Sequence, residues 1–437
     1  MSLFQTLSIG ATGLGANGTG LQVVGDNIAN MGTTGFKSGR ASFADIVPEL
    51  AGGLGGLTAM GRGAMLAGIG VDRNQGAVES TGMPLDVAVL GEGMFQVARG
   101  DEMFYTRDGH FQLDKEGFIV TSGGLHVRGY QATDGVVTAS MADLQVSKAP
   151  LAPVATTNIT LDAMLAADVD TTTLPLTPLA SLTLDGVATT LADAGAASDF
   201  ATSTTVYDSL GRPHDVTLLF EASGPSDWSW RAVVDAGDTD VAGGLAGGAF
   251  EIASGTATFD TLGNLTAATQ TATPTAWTWS GSDPFAFNLD MGGPTGTVGS
   301  IRMAGSNSYT AAIAQDGRSP GTLTGLQVES DGTITGEYTN GQRQAVGQVA
   351  LATFAAPEGL ARLGGNLWGV SQASGEPALG AAESGGRGSA IGASLEGSNV
   401  DLEEQFVALI EMQRAYSANT GVIRTADESL QALIQLV

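Results

Sequence analysis

Residues 398–437 read SNVDLEEQFVALIEMQRAYSANTGVIRTADESLQALIQLV, and the spacing within them decides the fold. Leu402, Phe406, Leu409, Gln413, Tyr416, Thr420, Ile423, Asp427, Leu430, Ile434 and Val437 recur alternately four and three apart. That is a heptad seam with polar breaks at Gln413, Thr420 and Asp427, on a helix of roughly 55 Å. Ser398 or Asn399 can cap it, and Asp401, Glu403 and Glu404 suit its positive end. No Pro interrupts it, and its one glycine is Gly421. So long an apolar stripe needs a partner.

The other end of the chain offers one. Leu3, Leu7, Gly10, Leu14, Asn17, Leu21, Val24, Ile28 and Met31 follow the same alternation. Two such segments suggest termini that pair with each other or with other copies; two ordinary amphipathic helices docked on a core is the plainer alternative. The first segment carries Gly10, Gly13, Gly15, Gly18, Gly20 and Gly25, each costing an isolated helix about 1 kcal/mol. It is expected to form only when packed.

Between the ends, composition marks blocks. Asn27, Asn30, Thr33, Thr34 and Gly35 read as a helix end and turn. Phe36 and Phe43 flank Lys37 and Arg40, the only positive charges in the first 61 residues. This is either an ordered connector that anchors a subunit on its neighbours or a short strand with a solvated basic pair. Residues 52–70 (GGLGGLTAMGRGAMLAGIG) are so rich in Gly that little helix or strand is expected, and a loop that orders on assembly fits. From 71 to 147, turn dipeptides Asp108-Gly109, Glu116-Gly117, Gly123-Gly124 and Asp134-Gly135 separate short alternating runs, the grammar of antiparallel hairpins. It returns at 302–370 with Asp316-Gly317, Asp331-Gly332 and Asn340-Gly341.

The block 151–300 differs chemically. It holds 17 acidic residues against Arg212 and Arg231, more than half of the chain's formal charge of −27. Trp228/Trp230 and Trp277/Trp279 have the same-face spacing of strands, which favours core aromatics over a ligand platform. Asp208-Ser-Leu-Gly211 and Asp260-Thr-Leu-Gly263 read as similar turns. The expected layout is nested: terminal helices 1–31 and 399–437, Gly-rich connectors 32–70 and 371–398, an inner β domain 71–147 plus 302–370, and an outer acidic β domain 148–301. The fold class is mainly β with long terminal α-helices. Two all-β domains, one inserted in the other, are carried on a paired-helix, coiled-coil-like stalk.

Chemistry is sparse. His110, His126 and His214 are scattered, there is no Cys, and no zinc spacing occurs. Asp235, Asp238 and Asp240 with Gly237, and Asp168 with Asp170, resemble loose calcium loops, but surface turns explain them better. No phosphate loop, GxSxG or HExxH is present, so no enzyme, cofactor or metal is expected. A charge of −27 repels nucleic acid and acidic membranes. No run of 18 apolar residues suggests a membrane span, and the N-terminus does not read as a cleaved signal.

LQVVGDNIANMGTTGFKSGRASF (21–43) and NVDLEEQFVALIEMQRAYSANTGVIRTADESLQALIQL (399–436) resemble the terminal signatures of the flagellar rod and hook protein family. MPLDVAVLGEGMFQV (83–97) and YTRDGHFQLDKEGFIVTSGGLHVRGY (105–130) look like its shared inner β domain, and VYDSLGRPHDVTLLF (206–220) like part of an extra outer domain. Much of 149–205 and 222–300 has no distinctive match. The resemblance implies a subunit of the hook, a curved flexible tube that joins rod to filament and transmits torque, with the paired-helix stalk forming the inner layer of that tubular polymer. A straight distal rod subunit is the alternative within the family, and a secreted β-rich adhesin or surface protein the alternative outside it. It further implies self-association, distal rod and hook–filament junction proteins as neighbours, a hook cap during assembly, and unprocessed export through the flagellar type III apparatus to an extracellular site. The expected assembly residues are Leu3, Leu7, Leu14, Leu21, Val24, Ile28, Phe36, Lys37, Arg40, Phe43, Leu402, Phe406, Leu409, Tyr416, Ile423, Leu430 and Ile434.

Overall fold

Alternating runs and turn residues produce strands along most of the chain, between two terminal helices. The computed structural model describes residues 3–47, 49–53, 56–169, 182–241, 243–272, 277–292 and 301–435. Helix α1 spans Leu3–Ala29, a short α2 spans Leu191–Ala196 and α3 spans Leu402–Gln435; the remaining regular structure is almost all β. Asp401 caps α3, accepting from the amides of Glu403 (2.8 Å) and Glu404 (3.2 Å). Neither Ser398 nor Asn399 does so.

The chain divides into two compact units. The first is Met1–Lys148, Thr324–Glu337 and Arg343–Val437; the second is Ala149–Leu323 with Tyr338–Gln342. In sequence, the second is inserted into the first.

In the first unit, a large sheet runs in the order Leu323–Val328, Thr333–Tyr338, Arg343–Thr353, His126–Thr133, Met94–Arg99, Glu102–Thr106, Leu367–Gly369, Ala361–Gly364. Early and late segments alternate in it because Arg343–Thr353 pairs antiparallel with both His126–Thr133 and Met94–Arg99. Asp134 and Gly135 both have positive φ (51° and 79°), the two-residue turn whose twist suits the hairpin His126–Thr133/Val136–Asp143. Val89, Phe95, Val97, Ile119, Val127 and Leu351 fill the interior, each worth roughly 1.5–3 kcal/mol when fully buried.

The Gly-rich stretch 52–70, expected as a loop, instead forms strands. Ala64–Val71 pairs antiparallel with Gly39–Asp45, and Gly56–Met60 with Glu49–Gly53. Ladder hydrogen bonds need only backbone, and Ala64–Val71 lies against α1, which offsets its poor intrinsic propensity.

In the second unit, an antiparallel sheet runs Asp185–Thr190, Gly248–Phe259, Asp227–Asp235, Pro213–Ala222, Phe200–Tyr207. Strand Asn158–Leu165 turns Ile159, Leu161, Ala163 and Leu165 inward by period 2, into one core with Val216, Leu218, Phe220 and all four tryptophans. The tryptophans are core, as their spacing implied. On the opposite face, Leu219, Val233 and Ala249 pack with Ala194 of α2, a helix capped by Thr190. The two Asp-x-Leu-Gly turns are built alike: Asp208 accepts from the amides of Leu210 and Arg212, and Asp260 from those of Leu262 and Asn264.

Asp316 is not a hairpin turn residue. It staples the unit's returning strand Tyr309–Gln315 to its first strand, accepting from the amides of Thr157 (2.7 Å) and Asn158 (2.9 Å) and from both their side chains. Partial burial pushes its carboxyl upward, but these hydrogen bonds overcome that and hold it well below the ordinary 3.8. A depressed carboxylate contributes stability that is present above its unfolded value and lost as pH falls through the folded one. Asp316→Asn is therefore expected to destabilise the protein near neutral pH by about 1–2 kcal/mol, a low value because solvent screens an exposed carboxylate. Urea titrations at stepped pH should show the gap to wild type closing below 3.8; a gap independent of pH would refute the staple.

Candidate assembly interface

Small residues let the terminal helices approach closely. A Cβ on Gly10 would lie 2.9 Å from Ile423 Cγ1, one on Gly13 2.9 Å from the Asn419 amide, and one on Gly20 3.0 Å from Met412 Sδ. Positions rise along α1 as they fall along α3, so the pair is antiparallel. Near its far end, Asn27 Nδ2 donates to Gln405 Oε1 (2.9 Å) and to the Gly39 carbonyl (2.8 Å), while its Oδ1 accepts from the Gly39 amide. Asn27 is buried, and all its polar atoms are used.

Beyond α1 the chain enters a junction with the segment preceding α3. Gly35 has φ +67° and donates to the Glu396 carbonyl (2.7 Å); any side chain there would strike the Arg107 backbone. Lys37 Nζ donates to Glu396 Oε1 (2.6 Å) and to the Asn74 carbonyl (2.8 Å), and the Arg107 guanidinium lies 3.5 Å from Glu396 Oε2. The Gly76 amide donates to Glu396 Oε1 (3.0 Å). Glu396 is 0% exposed and Lys37 6%. Burial lowers the Lys37 ammonium's pKa, with the hydrogen bond to Glu396 pulling the other way. Asn399 Oδ1 accepts from the Ser38 amide while its Nδ2 donates to the Asp72 and Asn74 carbonyls.

The expected assembly residues divide three ways. Leu7, Leu14, Leu21, Val24, Ile28, Leu402, Leu409, Ile423 and Leu430 are buried or half-buried. Phe406 (47% exposed), Tyr416 (39%) and Ile434 (73%) face solvent, as do Arg40 and Phe43. Phe36 and Lys37 are buried within the chain itself, Phe36 beneath the Arg362 guanidinium at 4.8 Å. Leu3 belongs to α1, but its side chain lies outside the described atoms. The line of α3 that meets α1 runs through Gln405, Met412, Asn419, Ile423 and buried Ala426. Periodicity did not single out Gln405, Met412 or Asn419, nor Glu396 and Asn399. A lone acidic residue between Leu395 and Gly397 was the available signal for Glu396.

Elsewhere, each histidine meets a different carboxylate: His110 with Asp86 (2.8 Å), His126 with Asp143 (2.9 Å) and His214 with Asp208 (3.4 Å). Asp235 accepts from the amides of Gly237 and Gly247, and Asp240 from the Thr278 hydroxyl, as turn residues do. Asp170 lies outside the described residues. Among the described residues, no group of three or more His, Cys, Asp or Glu could hold a metal ion. No helix there is long and apolar enough to cross a membrane.

Three family descriptions match the chain: Flagellar hook protein FlgE/F/G D1 domain over 88–169, Flagellar basal body protein FlaE D2 domain over 168–318, and Flagellar basal body rod FlgEFG protein C-terminal over 392–436. The chain is 35% identical over 441 residues to the flagellar hook protein FlgE of Salmonella typhimurium, covering 100% of both chains. With that of Escherichia coli it shares 34% over 435 residues, 99% of this chain and 100% of the other. The crystal structure of Helicobacter pylori flagellar hook protein FlgE2 aligns with a TM-score of 0.48 at 13% identity, over 71% of this chain and 98% of that one.

Two substitutions test the junction and the pair. Glu396→Gln removes one partner of a buried ion pair and should cost about 3–5 kcal/mol in urea unfolding. Gly10→Val should lower the helical circular dichroism of the monomer while leaving its strand signal. Wild-type stability in the first variant, or undiminished helix in the second, would contradict the geometry above.

Proposed function

The chain belongs to the flagellar hook and rod axial protein family, and from that membership we propose that it is the subunit of the hook, the curved and flexible tube between rod and filament. It is a structural subunit of the flagellar axis, not an enzyme. Full-length similarity to relatives named as flagellar hook proteins favours the hook over the distal rod.

The observation that carries self-assembly is an apolar face left over after the helices pair. Phe406, Val407 and Ile410 are about half exposed on one side of α3. Clustered exposed apolar residues mark contact surfaces. In the polymer, this face meets other copies and the paired termini form its inner layer. Torque transmission requires that inner layer to resist twist. Bending requires other contacts to slide, and the acidic 151–300 block, with like charge on every copy, supplies weak polar ones. Distal rod proteins, hook–filament junction proteins and the growing cap are the neighbours at the tube's ends. The chain reaches this extracellular site through the flagellar type III export apparatus.

Electron microscopy of basal structures from cells lacking this gene tests the assignment. Rods that end at the cell surface without a curved segment are expected; truncated rods would favour the distal rod, and intact hooks would overturn both readings. In purified protein, Phe406→Asp should abolish polymerisation while leaving the monomer's melting temperature nearly unchanged, since the side chain is half exposed. Normal polymers from that variant would remove α3's free face from the contact.

A further inference from the structure

The middle of the helix pair rests on a thioether. A Cβ at buried Gly20 of α1 would lie 3.0 Å from Met412 Sδ and 3.7 Å from its methyl carbon, so the sulfur itself packs on the α1 backbone. Phe43 closes on the same glycine, its Cζ 3.2 Å from that position. Met412 is half-buried and Phe43 is 38% exposed, which places the sulfur at the edge of the seam. The polar contacts of the seam, at Gln405 and Asn419, lie about two turns of helix away on either side. The chain holds 12 Met and no Cys, so thioethers are its only sulfur groups open to oxidation.

We propose that Met412 is an oxidative modification site that governs whether the terminal helices pair. The step is oxygen transfer from a peroxide. A sulfur lone pair attacks one oxygen of hydrogen peroxide, the O–O bond breaks and an S–O bond forms; the proton of the transferred hydroxyl passes to the departing hydroxide, giving water. Sulfur loses two electrons and the peroxide gains them. The sulfoxide turns a flexible apolar side chain into a polar one. Its oxygen is an acceptor set against a helix backbone whose N–H groups are already engaged, and burial without a donor is penalised. Helix α1 amplifies that penalty, because its six glycines leave it unable to stay helical without a partner. Met31 (45% exposed), Met65 (51%) and Met83 (61%) differ: oxygen added there meets water. Reduction by methionine sulfoxide reductases restores the thioether, so the change is reversible.

The test uses the full-length monomer under graded hydrogen peroxide, with each sulfoxide quantified by peptide mass spectrometry and helix followed by circular dichroism. The helical signal should fall in step with sulfoxide at Met412, by up to the share of α1, which holds 27 residues against 34 in α3. It should return on treatment with the two reductases that act on the two sulfoxide epimers. Met412→Leu, a swap that keeps volume, should hold its helical signal at peroxide doses that fully oxidise Met83. Loss of helix that tracks Met83 instead of Met412, or that is as large in Met412→Leu as in wild type, overturns the proposal. So does complete Met412 sulfoxide with the helix intact, or a Met412 that stays reduced while Met31, Met65 and Met83 are consumed. None of these outcomes depends on polymerisation.

Discussion

A carboxylate without exposed surface cannot be left unpaired, and Glu396 is such a group. Its counter-ions come from Lys37, just past α1, and from Arg107, just past the sheet strand Glu102–Thr106, while Glu396 itself just precedes α3. The demand for charge compensation therefore ties both ends of the chain to one point of the sheet. Asn399 repeats the tie with uncharged bonds, using its carbonyl on Ser38 and its amide on Asp72 and Asn74. The bonds from Lys37 and Asn399 each span more than 320 residues of sequence. Their closure entropy grows only logarithmically with that separation, so a few strong bonds can hold it.

The antiparallel helix pair follows from where the junction puts the two chain ends. Its glycines cost α1 propensity, about 1 kcal/mol each. Close approach offsets this, because Ile423, Asn419 and Met412 sit where a side chain on α1 would have kept them away. The seam also carries the polar contact Asn27–Gln405, and one such contact penalises every other register of two otherwise apolar stripes.

Much of this was legible in the sequence. Both terminal helices, the hairpin at Asp134-Gly135, the paired Asp-x-Leu-Gly turns and the burial of the tryptophans all follow from local period or turn chemistry. What escaped has a common cause. The heptad line read through Leu402, Phe406 and Leu409 has the right repeat and the wrong phase. The observed line through Gln405, Met412 and Asn419 keeps the heptad spacing but lies one residue before Phe406, Gln413 and Thr420: apolar Phe406 drew the seam to its side of the helix, while two of the three true contacts are polar. The strands at 49–53, 56–60 and 64–71 were hidden because Gly-rich sequence lacks side-chain signal while its backbone still pairs. From local sequence Lys37 fits an ordered connector or a solvated charge, because its partner lies 359 positions away. Asp401, counted only as a dipole charge, is the cap.

The two units also differ in what they leave unburied. Among the described residues of the second, the exposed large apolar residues Val154, Val187, Leu210, Leu245, Leu262 and Tyr309 are scattered along its sequence, and the Trp-lined core lies within the unit. Scattered apolar residues are normal on any surface. On α3, by contrast, Phe406, Val407 and Ile410 share one face within about a turn and remain roughly half exposed. The second unit can therefore satisfy its hydrophobic residues alone, whereas the helix pair can do so only against another surface. That asymmetry is what supports placing the proposed polymer contact at the termini.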